Sequence, residues 1–133
     1  NIGYLMCYLE GFSQQKVQLS EIVKDLFQIA AFIGNAPNHS FDFRRVKLLE
    51  TWTQEINNQL RPLHHFVMPT GTRASCYANI CRTVARRVET NYFTYQSTTD
   101  LDDVGAYLNR LSDYLFVVMR LINAKYDVED YFK

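Results

Sequence analysis

Three charged residues share one face of a predicted helix and could bind an anionic ligand. Arg82, Arg86 and Glu89 are four and three residues apart, which at about 100° per residue places them on one side of a helix. Arginine carries a planar, permanently charged guanidinium that suits phosphate oxygens. The spacing fits a row of side chains that holds a phosphate chain. It also fits a solvated face on which Arg86 and Glu89 form an ion pair.

A second polar row lies on the next predicted helix and contains a phenylalanine. At helical spacing, one side of this helix carries Asn109, Asp113, Phe116, Arg120 and Asn123. A ring such as Phe116 is out of place among polar groups unless something covers it. It could form the apolar wall of a site for a flat ligand, or pack at a helix edge or an oligomer interface, and periodicity leaves these interpretations open.

Other kinds of site are not indicated by the motifs. The sequence has no GxxxxGK[ST] phosphate loop, no GxGxxG motif and no Glu followed three residues later by His. The three histidines, His39, His64 and His65, favour surface or capping roles, so we predict no metal ligand among them. No nucleophile with a matching base is identifiable by spacing.

Composition limits the class of protein. The 133 residues fit one domain, and 47% apolar residues exclude intrinsic disorder. Fourteen basic and fourteen acidic residues cancel, so we expect no nucleic-acid partner and no attraction to an acidic membrane. Three cysteines without metal-site spacing indicate a reducing compartment. No apolar run is long enough to cross a bilayer. Because Asn1 already lies inside an apolar periodic pattern, we expect that a further N-terminal segment precedes it.

Apolar periodicity predicts the elements that position the two polar rows. It indicates five amphipathic helices with short connections, an all-α, up-and-down bundle, and no sheet. The predicted helices run from Ile2 to Leu9, from Leu19 to Ile33 with Ser20 as N-cap, from Val46 to Leu60, from Thr72 to Tyr95 with Thr70 or Thr72 as cap, and from Asp100 to Tyr126. The predicted core stripe of the fourth helix is Tyr77, Ile80, Cys81, Val84 and Val88, and that of the fifth is Val104, Leu108, Leu111, Leu115, Val118 and Ile122.

Three segments carry a resemblance to a known family. They read LHHFVMPTG (63–71), ICRTVARRVE (80–89) and YLNRLSDYLFV (107–117). The chain resembles the PduO-type ATP:cob(I)alamin adenosyltransferases, whose hallmarks are an F-[IV]-[LM]-P-G-G-like turn, an A-R-T-V-x-R-R-x-E-R helix and a Y-L-N-R-L-S-D-x-L-F helix. The resemblance extends over nearly the whole chain and is weaker in the first 60 residues.

The resemblance implies a fold, a reaction and an assembly. Members are five-helix bundles that form trimers with active sites between subunits. Cob(I)alamin attacks the 5′ carbon of ATP in the presence of Mg²⁺, giving adenosylcobalamin and triphosphate. The product can be handed to a B12-dependent mutase or dehydratase. The implied location is the cytoplasm, or the mitochondrial matrix in a eukaryote, and the implied domain is residues 1–133.

The resemblance also assigns site residues. It implies that Arg82 pairs with an acidic residue of an N-terminal motif, that Arg86 contacts ATP phosphates, and that Glu89 and Asn109 lie in the nucleotide site with Mg²⁺. Phe66 and Phe116 would form an apolar surface against the corrin that displaces its lower axial ligand. Asp113, on the same helix face as Asn109, is included among the binding residues.

The sequence also departs from the family pattern. Thr90, Thr70 and Asn79 stand where the family has arginine, glycine and histidine, and the family's N-terminal ATP loop and acidic motif would lie before Asn1. Two alternatives follow. One is a catalytically inactive bundle of the same fold that binds a corrinoid or a partner. The other is a structural helical oligomer whose arginines form salt bridges between subunits.

Overall fold

The computed structural model describes residues 1–34, 41–96 and 102–133, and these form five helices and one short two-stranded ribbon. In chain order the elements are α1 (Ile2–Met6), α2 (Ser13–Ile33), α3 (Arg44–Asn57), β1 (Phe66–Val67), α4 (Arg73–Gln96), α5 (Asp103–Tyr126) and β2 (Tyr131–Phe132). The predicted all-α, five-helix bundle is confirmed. No helix in the described ranges combines the length and the hydropathy of a membrane span.

Helix α5 forms the centre of the bundle, packed between α3 and α4. All six residues of its predicted core stripe are at most 2% exposed. The helix also buries Tyr107 and Tyr114, whose hydroxyls donate to Asp25 (2.6 Å) and Gln18 (2.7 Å) of α2. Buried tyrosines need such partners for their hydroxyl groups, and here the partners tie α2 to the central helix.

Two predicted helix starts can be compared with the structure. Helix α2 begins at Ser13, so the predicted N-cap Ser20 lies inside the helix and that prediction is wrong. Helix α4 begins after Thr72, whose Oγ1 accepts from the amide of Ser75 at 3.1 Å. Thr72 is therefore the cap, one of the two alternatives. The predicted start of the fifth helix at Asp100 lies outside the described residues, as does His39.

Two predicted helix ends extend too far. Helix α1 ends at Met6 and α3 at Asn57, whereas the apolar pattern continues to Leu9 and Leu60. Leu9 is fully buried and Leu60 packs against the core from the segments that follow the helices. Because these residues are buried although the helices have already ended, the apolar pattern extends beyond each helix.

The prediction of no sheet is wrong. Strand β1 pairs with β2 in antiparallel orientation, with Phe66 opposite Phe132 and Val67 opposite Tyr131. The amide of Met68 extends the pairing by donating to the carbonyl of Asp130 at 2.9 Å. Two residues per strand are too few for an alternating pattern to be recognised in the sequence.

The predicted faces of α4 are also wrong in part. Ile80 is 46% exposed and Val88 44% exposed, although both were assigned to the core. The face that meets α5 carries the small residues Ala78 and Ala85, both buried, together with Cys81. The buried face of α4 is thus the one with small residues and not the one with the larger apolar side chains, and small residues at a helix contact permit a short interaxial distance.

Three residues of the two predicted polar rows are buried, and so is Ser75 of α4. Ser75 and Asn123 are fully buried, Arg120 is 2% exposed and Glu89 is 8% exposed. Each has hydrogen-bond partners, which is the condition under which polar groups are found inside proteins.

Candidate active site

The predicted site residues of α4 and α5 lie along the border where these two antiparallel helices meet. Glu89 contacts Asn109 near one end of the border, and Thr72 contacts Asn123 near the other. Arg86 and Arg82 of α4 lie between these contacts, as do Asp113 and Phe116 of α5. The structure therefore brings the two predicted polar rows side by side.

The carboxylate of Glu89 connects the two rows. Its Oε1 accepts from Nη1 of Arg86 at 3.2 Å and its Oε2 accepts from Nδ2 of Asn109 at 2.9 Å. The side chain of Arg86 is 58% exposed, whereas that of Glu89 is 11% exposed. The ion pair expected for a solvated face is present, but its acidic partner is buried and bonded to a second helix.

Asn109 is held from its other side by residues that the sequence analysis did not single out. Its Oδ1 accepts from Nη1 of Arg110, and Nε of Arg110 donates to Oε1 of Glu50 at 2.9 Å. With a donor on its oxygen side, the Asn109 amide has its nitrogen toward Glu89. Arg110 adjoins a predicted residue in the sequence, but Glu50 comes from α3, 60 residues before Arg110, and no motif indicates it.

Arg82 and Asp113 lie beside this cluster. Nε of Arg82, a half-buried residue, donates to Oδ1 of Asn79 at 3.0 Å, so one of the departures from the family pattern supplies its partner. Burial raises the pKa of Asp113, against the opposing effects of the Arg110 and Arg86 charges. The border thus combines two accessible cations with two carboxylates.

Two of the candidate aromatic side chains, Phe66 and Phe132, lie on the ribbon, and the third, Phe116, lies on α5. Phe66 is 82% exposed and Phe132 is 66% exposed. Residues directly opposite in an antiparallel pair project on the same side of the sheet, so these two rings form one exposed patch. Phe116 is half-buried and packs against the core. Phe132 was not predicted from the sequence, because only the strand pairing places it beside Phe66.

An apolar cavity of about 430 Å³ lies elsewhere, between α2, α4 and α5. Its lining includes Val23, Phe27, Val84, Val88 and Leu111, and none of the seven predicted site residues. Within the described ranges, no three His, Cys, Asp or Glu side chains cluster as metal ligands would. The candidate site therefore has a charged part on the border of α4 and α5 and an aromatic part, made up of Phe116 on α5 and of Phe66 and Phe132 on the ribbon.

Comparison with known sequences identifies the family to which the chain is similar. A family model described as cobalamin adenosyltransferase matches residues 1–122. A cobalamin adenosyltransferase of Cupriavidus metallidurans is 32% identical over 124 residues, which are 92% of this chain and 67% of that protein. A corrinoid adenosyltransferase of Bacillus subtilis is 28% identical over 90% of this chain and 64% of its own length. The corrinoid adenosyltransferase of Mus musculus is 41% identical over 54% of this chain and 31% of its own length.

Solved structures agree on the fold. Two variants of a PduO-type ATP:corrinoid adenosyltransferase from Lactobacillus reuteri, one complexed with cobalamin and ATP and one with ATP, superpose with a TM-score of 0.85. They are 23% and 24% identical, and the matches cover 99% of this chain and 78% and 79% of theirs. Across the sequence relatives named above, the matched part is between about a third and two thirds of their length.

Proposed function

Because the chain belongs to the cobalamin adenosyltransferase family, we propose that it transfers the 5′-deoxyadenosyl group of ATP to cob(I)alamin. The cobalt electron pair forms a bond to the 5′ carbon, the bond from that carbon to the phosphate oxygen breaks, and triphosphate leaves with the bonding electrons. The observation that carries the proposal is the border of α4 and α5, where the Arg86–Glu89–Asn109 cluster and Phe116 lie on one continuous strip.

The charged part of the strip suits the triphosphate. Within the described part of the chain, Glu89 engages Nη1 of Arg86, so the remaining N–H groups of this exposed guanidinium are available to phosphate oxygens. Negative charge accumulates on the triphosphate as the bond breaks, and a preorganised cation stabilises it. We assign this role to Arg86, with Glu89 and Asn109 fixing its position. Arg82 is assigned to ordering the adjoining corrinoid site.

Mg²⁺ is proposed to enter with ATP. Proteins usually hold this ion through one or two carboxylates together with substrate phosphates, and the strip offers Glu89 and Asp113 for this purpose, so the residues present fit such an ion. Bound there, Mg²⁺ would neutralise part of the phosphate charge.

The aromatic part suits a corrin ring. Phe66 and Phe132 offer an exposed patch on the ribbon, and Phe116 on α5 is half-buried and so leaves part of its ring uncovered. An apolar surface against the lower face would exclude the water or base that coordinates cobalt there, and it offers no ligand atom in its place. We propose that it displaces that ligand and leaves four-coordinate cob(II)alamin, which is easier to reduce.

The spacing of the two parts suits a reaction between two bound substrates. Asn109 and Phe116 are seven residues apart on α5, or about 10 Å at 1.5 Å per residue. A nucleotide held at one end can therefore direct its ribose toward a macrocycle at the other. Holding the cobalt and the 5′ carbon in line removes much of the entropic barrier of a bimolecular step.

We propose that residues 1–133 act as one domain of a homotrimer with active sites between subunits. One observation supports this assembly: the apolar side chains of Ile80 (46%), Val88 (44%) and Phe27 (75%) are exposed on α4 and α2. The proposed location is the cytoplasm or the mitochondrial matrix, where a B12-dependent mutase or dehydratase could receive the product.

The test is an absorbance assay of the natural full-length protein with ATP, Mg²⁺ and chemically reduced cobalamin. We expect the cobalt–carbon product. Loss of a charged hydrogen bond costs about 1.5–3 kcal/mol, so Arg86→Ala should raise KM for ATP about tenfold or more, whereas the neighbouring Arg87→Ala should not. A full-length protein that forms no product would instead support the inactive corrinoid-binding bundle.

A further inference from the structure

Arg120 is a buried guanidinium that binds two separate chain segments. It is 2% exposed. Its Nε and Nη2 donate to the two carboxylate oxygens of Glu129 at 2.9 and 3.1 Å, and Nη2 also donates to the backbone carbonyl of Arg61 at 2.9 Å. A bidentate pair of this kind fixes both distance and orientation.

The two segments are those that lead into the ribbon strands. Arg61 lies five residues before Phe66, and Glu129 lies three residues before Phe132. Glu129 also accepts from the hydroxyl of Tyr131 in β2 at 2.6 Å. Arg120 therefore holds the approach to β1 and the approach to β2 against the same point of α5.

The ribbon needs such an anchor. It has two residue pairs, and isolated two-stranded ribbons are marginally stable in water. Its two phenylalanines are mostly exposed, so packing of these rings against the core does not hold them in place. Val67 of β1 packs against the core, and the contacts of Arg120 add a second attachment that reaches the approaches to both strands.

We infer that Arg120 is a positioning residue, which acts through Glu129 and the Arg61 carbonyl to hold Phe66 and Phe132 as one surface beneath the corrin. The inference rests on the proposed function for the identity of the ligand. The anchoring itself rests only on the contacts of Arg120. Arg120 touches neither substrate in this scheme, so its loss should affect the corrin step and spare nucleotide binding.

The test compares Arg120→Lys and Glu129→Gln with Arg61→Ala in the natural full-length protein. Lysine keeps the charge but loses the planar fork, and Glu129→Gln keeps the shape but loses the charge. Arg61→Ala is the control, because Arg120 uses the carbonyl of Arg61, whose own side chain is 82% exposed. We expect both anchor variants to lower the fraction of four-coordinate cob(II)alamin, followed by electron paramagnetic resonance, at least fivefold. KM for ATP should stay within twofold.

A second measurement does not depend on any ligand. Amide hydrogen exchange at Met68, which donates across the ribbon to Asp130, should be at least tenfold faster in both anchor variants than in Arg61→Ala. Unchanged exchange would overturn the anchoring role. Faster exchange with an unchanged four-coordinate fraction would overturn the link to the corrin surface. A wild-type protein that forms no four-coordinate cob(II)alamin, with exchange as expected, would count against the proposed function and leave the anchor standing.

Discussion

At the scale of single residues, the charged end of the site is organised by hydrogen bonds rather than by arginine alone. Glu89 of α4 accepts a hydrogen bond from Arg86 on the same helix and another from Asn109 of α5. Asn109 is in turn oriented by Arg110, which Glu50 of α3 holds at 2.9 Å. Three helices thus meet in one chain of hydrogen bonds that runs from Glu50 to Arg86.

Glu50→Gln tests this chain of contacts. Arg110 would lose its charged partner and leave Asn109 less constrained, so we expect KM for ATP to rise about two- to fivefold, which corresponds to about 0.5–1 kcal/mol for a partly exposed pair. Steady-state kinetics measures KM for ATP, and a thermal melt measures the stability of the same variant. Glu55→Gln, an exposed change on the same helix, is the matched control, and an equal KM in the two variants would contradict the role of Glu50.

Phe66→Ala and Phe116→Ala separate binding from stability. Both should reduce four-coordinate cob(II)alamin and leave ATP binding intact. Phe66 is 82% exposed, so its loss should leave the unfolding free energy nearly unchanged. Phe116 packs against the core, and its removal should cost about 1–3 kcal/mol by urea unfolding, below the value for a fully buried ring. If Phe116→Ala unfolds the bundle or spares the cobalt spectrum, Phe116 is a core residue and not a ligand contact.

At the scale of elements, the docking of the ribbon should depend on pH. Burial by itself would raise the pKa of Glu129, but hydrogen bonds from Arg120 and Tyr131, with the nearby charge of Arg61, hold that pKa below its ordinary value. A carboxyl with a lowered pKa stabilises the folded state fully above its ordinary pKa, and this contribution is lost as the pH falls through the lowered value.

We therefore expect amide exchange in β1 and β2, corrected for the intrinsic pH dependence, to be constant from neutral pH to about pH 5 and to accelerate below about pH 4, the range in which carboxyl groups titrate. Glu129→Gln removes the titrating group, so its exchange should already be fast at neutral pH and should change little on acidification. An acid response of the same size in both proteins would assign the effect to another carboxyl group.

The turn before α4 offers a test of backbone geometry. Gly71 has φ of +117°, and a Cβ added there would lie 2.5 Å from Oδ1 of Asn123. The Asn123 amide donates to the carbonyl of Thr70 at 2.8 Å and accepts from the amide of Thr72 at 3.2 Å, so it has little room to move. Gly71→Ala should cost about 1–3 kcal/mol of unfolding free energy. Gly3→Ala, with nothing within 4 Å of the added atom, should cost nothing by the same urea titration.

Sequence periodicity predicted the central helix better than its neighbour. The stripe from Val104 to Ile122 is buried as expected, because α5 is covered by neighbouring helices and its apolar side is long and regular. On α4, Ala78 and Ala85 are buried, whereas Ile80 and Val88 are exposed. Which face of a helix is buried depends on its neighbours, and the apolar pattern of a single helix does not specify them.

At the scale of the whole molecule, the contacts of the site that could be predicted are those between residues close together in the sequence. The proximity of Arg86 and Glu89 followed from helical spacing. Glu50 and Phe132 escaped prediction because they reach the site from α3 and from β2, through contacts between segments distant in the sequence. Motifs and periodicity do not indicate residues that join the site only through contacts formed in the folded chain.

The exposed apolar side of α4 indicates how the whole molecule assembles. Ile80 and Val88 are each nearly half exposed, and Phe27 of α2 is 75% exposed. Val88 and Phe27 line the same apolar cavity, and exposed apolar side chains grouped in this way are characteristic of a surface that another chain covers. In the proposed trimer, a charge on this side of α4 should prevent association without disturbing the core of the monomer.

Val88→Asp is therefore expected to convert a trimer to monomers, measured by light scattering after size exclusion at the protein concentration of the assay. Helicity should be retained, and adenosyl transfer should be lost with the trimer, because the site is proposed to lie between subunits. Thr90→Asp adds the same charge at an exposed position two residues further along α4 and should leave the mass unchanged. A wild-type protein that is already monomeric and active, or a Val88→Asp protein that remains trimeric, would exclude this surface as the interface. An active monomer would further require one chain to bring the charged cluster and the aromatic patch to both substrates by itself.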